Sequence, residues 1–294
     1  MSLSFKSGID GEISAMMSLF MRFLFVAGLF FVSSLGVEIA HASSSVVGQL
    51  DVFENIKSPQ LGNSRTIRVL LPADYHQNPT RRYPVIYLHD GENGFDDQSA
   101  DGGYEWQIDE ALAKLGGETG VGAIVVGIDA FMDQRGEEFD YNLFGAKYAA
   151  FLIETIKPWI DQAYRTDPRR EATFTMGSSW GGNISLALVW RHPEVFSSAA
   201  CLSIAVGSRW KSMQKMLADA PLPSLPVRFY LDHGDTEGEE TYAQYVSRLA
   251  KDLLQRGVPA ENVVYREFRG HGHSATAWRL RSPHTLRWLL TNSL

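Results

Sequence analysis

Residues 177–181, Gly-Ser-Ser-Trp-Gly, form the pattern G-x-S-x-G around Ser179. Glycines two residues before and two after a serine suit a sharp turn that lifts the hydroxyl clear of the backbone, because such a turn leaves no room for side chains on its flanks. A serine hydroxyl at its ordinary pKa is a poor nucleophile. It needs a base, and the base needs a partner that holds its tautomer. The segment Gly270-His271-Gly272-His273-Ser274 supplies two histidines. His273 is the expected base, with His271 as its rival in the same glycine-rich loop. Three acids follow a strand-like run at 227–232: Asp232, Asp235 and Glu237. A carboxylate a few positions beyond the strand end can turn back toward the histidine, which ranks Glu237 first, Asp235 second and Asp232 third. Acyl transfer also needs donors aimed at a tetrahedral oxyanion. The backbone N–H of Trp180 is one candidate, and that of Glu92, in the loop Asp90-Gly91-Glu92-Asn93, is the other. No carboxylate or cysteine at ligand spacing joins the histidines in a zinc set, so neither metal nor cofactor is expected.

These residues require elements that carry them to one place. Residues 48–54 and 65–71 read as antiparallel strands joined by turn chemistry at Ser58-Pro59 and Gly62-Asn63. The apolar runs 83–89 and 122–128 suit strands covered on both faces. Residues 172–176 form a short strand before the serine, and 183–192 a helix after it. Further strands are expected at 196–205, 227–232 and 263–268. Helical spacing appears at 105–115, 147–164, 242–256 and 275–290, with Pro158 and Pro283 expected to kink or disturb two of these. Strands alternating with helices predict an α/β chain with a mostly parallel central sheet, flanked by helices and preceded by antiparallel strands. In such sheets the site lies beyond the carboxyl ends of the strands. Asp90–Asn93, Ser179, the acids after residue 232 and the histidines near 272 all fall there. The chain order serine, acid, histidine is the α/β-hydrolase order.

Composition narrows the partners. A formal net charge of −7 argues against nucleic acid and anionic membrane surfaces. The apolar run at 20–32, with Arg22 at its front, precedes Ala40-His41-Ala42, an A-x-A cleavage signal. Residues 1–42 are therefore expected to be a secretory signal peptide, and 43–294 a single exported domain, periplasmic or secreted, with no membrane attachment in the mature form. The lone Cys201 lies in an apolar run and reads as a buried small side chain.

The chain resembles the esterase-D-like branch of the α/β-hydrolases, a group of siderophore (enterobactin-type), feruloyl and acetylxylan esterases, S-formylglutathione hydrolase and mycolyltransferases. The resemblance rests on Tyr-Leu-His-Asp-Gly-Glu-Asn at 87–93, Glu-Trp-Gln-Ile-Asp-Glu at 105–110, Gly-Ser-Ser-Trp-Gly-Gly at 177–182 and Gly-His-Ser-Ala-Thr-Ala-Trp at 272–278. It implies the α/β-hydrolase fold, His273 rather than His271 as the base, Glu237 as the acid, and Glu92 and Trp180 as oxyanion donors. Where many relatives carry Ser-Pro-Ser, this chain has Ser203-Ile204-Ala205, a departure in a segment that shapes the acyl pocket of relatives. Arg135, in the polar stretch 129–142, resembles a residue of the loop over the site and is a candidate substrate contact. The function so implied is an exported serine carboxylic-ester hydrolase working through an acyl-enzyme on a small, siderophore or carbohydrate ester, with no obligate protein partner. An acyltransferase using the same triad and a non-catalytic binding module on this fold are the alternatives.

Overall fold

Period-two and fully apolar strand patterns organise the chain into one eight-stranded sheet. The computed structural model describes residues 45–236 and 238–291; the expected signal peptide and Glu237 lie outside the described residues. The strands are β1 (Gln49–Ser58), β2 (Asn63–Leu71), β3 (Val85–His89), β4 (Ile124–Ile128), β5 (Thr173–Ser178), β6 (Ser198–Leu202), β7 (Arg228–Gly234) and β8 (Val263–Phe268). Their order is β1-β2-β4-β3-β5-β6-β7-β8. β1 pairs antiparallel with β2 and β2 antiparallel with β4, whereas β4 through β8 run parallel. This is the mostly parallel sheet with antiparallel leading strands that the sequence predicts.

The central strands are buried on both faces, which is why they read as unbroken apolar runs. Side chains alternate between two cores. Val85 and Tyr87 of β3 join one with Ile184 and Leu188, while Ile86 and Leu88 join the other with Trp106, Leu112 and Leu286. The flanking helices are α1 (Ile108–Thr119), α2 (Trp180–Arg191), α3 (Trp210–Ala218), α4 (Tyr242–Gln255) and α5 (Ala275–Thr291), with shorter helical pieces over residues 141–163. Among the described residues no helix is long and apolar enough to cross a membrane.

Three local outcomes differ from the pattern reading. Helix α3 was not foreseen; its nine residues include only three buried ones, Met213, Met216 and Leu217, spaced for one narrow contact face. Strand β1 runs longer than expected and carries a register shift between Phe53 and Ile56, where Asn55 takes φ 59°. Pro283 does not end α5. A proline lacks the N–H that would bond the carbonyl four residues back, here that of Arg279. The Ser282 hydroxyl donates to that carbonyl instead, at 3.0 Å.

The turn from β5 into α2 shows the backbone conformation the G-x-S-x-G pattern suggests. Ser179 sits at φ 54°, ψ −120°. A Cβ added to Gly177 would lie 2.6 Å from both the carbonyl carbon and the oxygen of Gly181, so the two flanking glycines face each other across the turn. Both obstructing atoms are backbone and cannot swing aside. Gly177→Ala should therefore lower Tm by about 5 °C or more, measured by thermal unfolding, with the serine displaced as well.

Candidate active site

Each element ends by delivering one group to a single cleft. Ser179 stands between β5 and α2, held by its own N–H donating to Leu202 O at 2.9 Å and by the Ala205 N–H donating to its carbonyl at 3.1 Å. These bonds tie the strained turn to the end of β6. A non-glycine residue at positive φ costs on the order of 1–3 kcal/mol, so it persists only where the surroundings over-determine it. His273 lies in the loop between β8 and α5. Ser179 and His273 line the same cleft, of about 290 Å³, together with Asp90, Glu92, Asp101, Met132, Arg135, Trp106 and Trp278.

The carboxylate that meets His273 is Glu239, whose Oε1 lies 3.2 Å from Nδ1. Since a carboxylate can only accept, Nδ1 carries the hydrogen and Nε2 is the nitrogen left for the serine. Glu239 is fully buried. Burial alone would raise its carboxyl, but the hydrogen bond from His273 and the positive charge of Arg281 hold it below the usual glutamate range. Glu239 was not among the ranked acids. Glu237, ranked first, lies outside the described residues. Asp235 turns its Oδ1 to the Gly270 N–H at 2.6 Å and so braces the base loop. Asp232 is spent elsewhere: its Oδ1 accepts from the Ser203 N–H at 3.0 Å and from Arg281 Nη1 at 2.9 Å. The chain returns to His273 at Gly238, which takes φ 90° immediately before Glu239 and faces the His273 Cβ. Gly238 was the available signal in the sequence, since a glycine in the left-handed region marks where a loop reverses.

Two further residues escaped the sequence reading. Arg281 of α5 is completely buried beneath the site. Besides Asp232 it reaches the Ser203 hydroxyl at 2.8 Å and comes within 3.6 Å of Glu239 Oε1. Tyr242, first residue of α4, stacks on the His273 ring with centroids 4.6 Å apart. Trp278 closes the other side of the imidazole edge-on at 5.1 Å. The histidine ring is thus fixed by one carboxylate and two aromatic walls. His271 takes no such position; it stacks on Phe268, and its carbonyl accepts the N–H groups of Asp235 and Thr236.

Trp180 opens α2, and the first N–H groups of a helix have no acceptor within it. Glu92 occupies the short turn Gly91–Asn93, whose first bond runs from the Asn93 N–H to the Asp90 carbonyl, leaving the Glu92 N–H ahead of that ladder. The Glu92 side chain turns away to accept the Ala130 N–H at 2.9 Å. Burial first, and the neighbouring Asp90 charge second, push its carboxyl up to about 7. Arg135 lines the cleft, but its guanidinium is bidentate to Asp90, at 2.6 and 2.8 Å, and lies over the Trp180 ring. Its charge is therefore already matched by a buried carboxylate. Cys201 is fully buried in β6, away from this chemistry.

The model of the family described as "Putative esterase" matches residues 58–289 of this chain. A Corynebacterium glutamicum protein, itself uncharacterised, is 20% identical over 247 residues; the match covers 77% of this chain and 57% of that protein, so this chain spans little more than half its length. The ferri-bacillibactin esterase of Bacillus subtilis is 24% identical over 246 residues, covering 71% of this chain and 80% of the relative. Among solved structures, the enterochelin esterase of Shigella flexneri superposes with a TM-score of 0.68 at 21% identity, over 83% of this chain and 59% of that one. Likeness at that identity is likeness of fold.

The geometry distinguishes the acids by function. Replacing Glu239 with glutamine should lower kcat by about 10³–10⁴-fold on a p-nitrophenyl ester while leaving the fold intact, since an amide cannot hold the required imidazole tautomer. Glu237→Gln should stay near the parent rate. A large loss from the second substitution alone would return the acid to position 237.

Proposed function

The chain belongs to the esterase family, and from that premise we propose that it is a serine carboxylic-ester hydrolase whose triad is Ser179, His273 and Glu239. The observation that carries this reading is the 3.2 Å contact of His273 Nδ1 with a buried carboxylate, at the cleft that also holds a serine at φ 54°. Ser179 Oγ attacks the ester carbonyl as His273 Nε2 takes its proton. Glu239 holds the Nδ1–H and stabilises the imidazolium. The N–H groups of Trp180 and Glu92 receive the oxyanion, where fixed donors act without reorganising. His273 then protonates the departing alcohol, and water, activated by the same histidine, releases the acid from Ser179. The Tyr242 ring holds the imidazole from one side.

The cleft lining supports an uncharged ester as substrate. Asp90 and Asp101 line it with Arg135 as their counterweight, and Arg135 is already paired. A trianionic ferric siderophore would meet net negative charge there. The names of the Bacillus and Shigella relatives make a catecholate trilactone the competing substrate class, and carbohydrate esters stand with the neutral ones. Export through residues 1–42 belongs to the same proposal, on the strength of the apolar run and the A-x-A signal.

Two measurements test the reading. Ser179→Ala should reduce turnover of p-nitrophenyl acetate by at least ~10⁴-fold in folded protein, and a fluorophosphonate should label the parent at Ser179 and not the variant. Undiminished turnover would remove the serine from the mechanism. A panel of short aliphatic, acetyl-sugar, feruloyl and catecholate-trilactone esters should show the highest kcat/KM for uncharged members, and preference for the ferric trilactone would overturn the charge argument.

A further inference from the structure

Three carboxylates meet around the first turn of α1, at the edge of the sheet rather than in the cleft. One carboxylate oxygen each from Glu105, Asp109 and Glu110 lies within 4.8 Å of the others. Glu105 and Asp109 are each only 1% exposed. One oxygen of each is satisfied: the Ser45 hydroxyl donates to Glu105 Oε1 at 2.6 Å, and the Val47 N–H donates to Asp109 Oδ2 at 2.5 Å. Glu105 Oε2 is buried without a hydrogen-bond partner, and buried Asp109 Oδ1 and Glu110 Oε2 meet no donor other than a proton shared between their two carboxyls. Buried carboxylate oxygens normally have one, because desolvating them unpaired is costly. Arg279, whose charge reaches Glu105, donates to the Glu105 backbone carbonyl and to Asp97 rather than to these oxygens. The positive end of the α1 dipole offsets part of the repulsion, and by only about 0.3–1 kcal/mol per charge.

We propose that Glu105, Asp109 and Glu110 form a binding site for a hard divalent cation, calcium before magnesium. An all-carboxylate set selects oxygen-loving ions over zinc or copper. Oxygens that ligate one calcium at about 2.3–2.6 Å stand no more than about 5 Å apart, which fits the observed spread, whereas magnesium demands a tighter shell. Water completes the coordination from a cavity of about 470 Å³ whose wall includes Asp109 and Val47. The ion fastens the start of the described chain, through Ser45 and Val47, to α1. It also sits one residue from Trp106, which lines the catalytic cleft and meets the Trp278 ring edge-on at 5.6 Å.

The experiment uses the full chain, stripped with chelator and dialysed. Calcium chloride is titrated at pH 8, against magnesium chloride and against potassium chloride of equal ionic strength, with Tm as the readout. At a hundredfold excess over Kd, calcium should raise Tm by about 5 °C. Terbium should show luminescence sensitised by the adjacent Trp106. Asp109→Asn with Glu110→Gln relieves the repulsion, so this variant should fold with Tm at or above that of the stripped parent, and should lose both the calcium shift and the terbium signal. No calcium shift in the parent beyond the potassium control would overturn the proposal, leaving shared protons as what holds the carboxylates together. A shift that survives in the double variant would overturn it too, by placing the ion elsewhere.

Discussion

A guanidinium with no access to solvent is the constraint on which the catalytic end of this fold depends. Taking a charge out of water costs several kcal/mol, and the cost is met only where good geometry and hydrogen bonds surround it. Arg281 finds them on four stretches of chain: Asp232 near the end of β7, the Ser203 hydroxyl after β6, the Gly272 carbonyl beside the base, and Glu239 in the acid loop. None of these can move without leaving a buried charge unmatched. The same arginine that holds α5 against the sheet therefore sets the distance between the acid and the base. It also sets a local charge balance. Two buried carboxylates face one guanidinium, so negative charge is in surplus beside His273.

Ser179 rests on a second constraint, which is steric. Ser179 holds its positive φ because Leu202, Ala205, Gly177 and Gly181 leave it no other conformation. The cleft wall on that side follows from the same crowding. A Cβ at Gly181 would stand 3.1 Å from Asp90 Oδ2, so Asp90 reaches the elbow only because the residue there is glycine. Asp90 in turn captures Arg135, and Arg135 covers the Trp180 ring. The polar stretch around Arg135 is thereby fixed. Its Asp140 also takes the Ser212 hydroxyl, and Asn142 donates to the Ser212 carbonyl, which docks the unforeseen helix α3.

The sequence made the sheet legible because each central strand is buried on both faces and shows as an apolar run bounded by turns. It made Ser179 and His273 legible because glycines crowd around both. The acid was harder, since five carboxylates lie between Asp232 and Glu240 and hydropathy does not distinguish them. Only the backbone reversal at Gly238 does. Arg281 was hidden for a different reason. On α5 it lies among Arg279 and Arg287, and a run of arginines on a helix reads as a wet face. Its spacing said otherwise: Ala277, Arg281, Thr285 and Leu289 recur every four residues, and all four are buried. A charged residue on the apolar stripe of a helix was the sign of a buried partner network, and pattern reading alone gives no partner for it.

The departure at Ser203-Ile204-Ala205 can now be placed physically. At the sequence level it put the acyl pocket in question, because relatives differ there. Ser203 takes φ 45°, and its hydroxyl receives both Arg281 and the Trp278 indole N–H. Ile204, Ala205 and Val206 are buried, none more than 2% exposed. These residues shape the floor that carries the catalytic groups and do not form the wall an acyl chain would touch. Trp278 links the two: its indole N–H is held by Ser203, while its ring lines the cleft and abuts His273. A change at residue 203 would thus reach the substrate only by tilting that ring. The cleft itself is lined instead by Trp106, Met132 and Trp278 on the apolar side and by the Asp90–Arg135 pair on the polar side, residues set by the loops after β3 and β4 and by the start of α5.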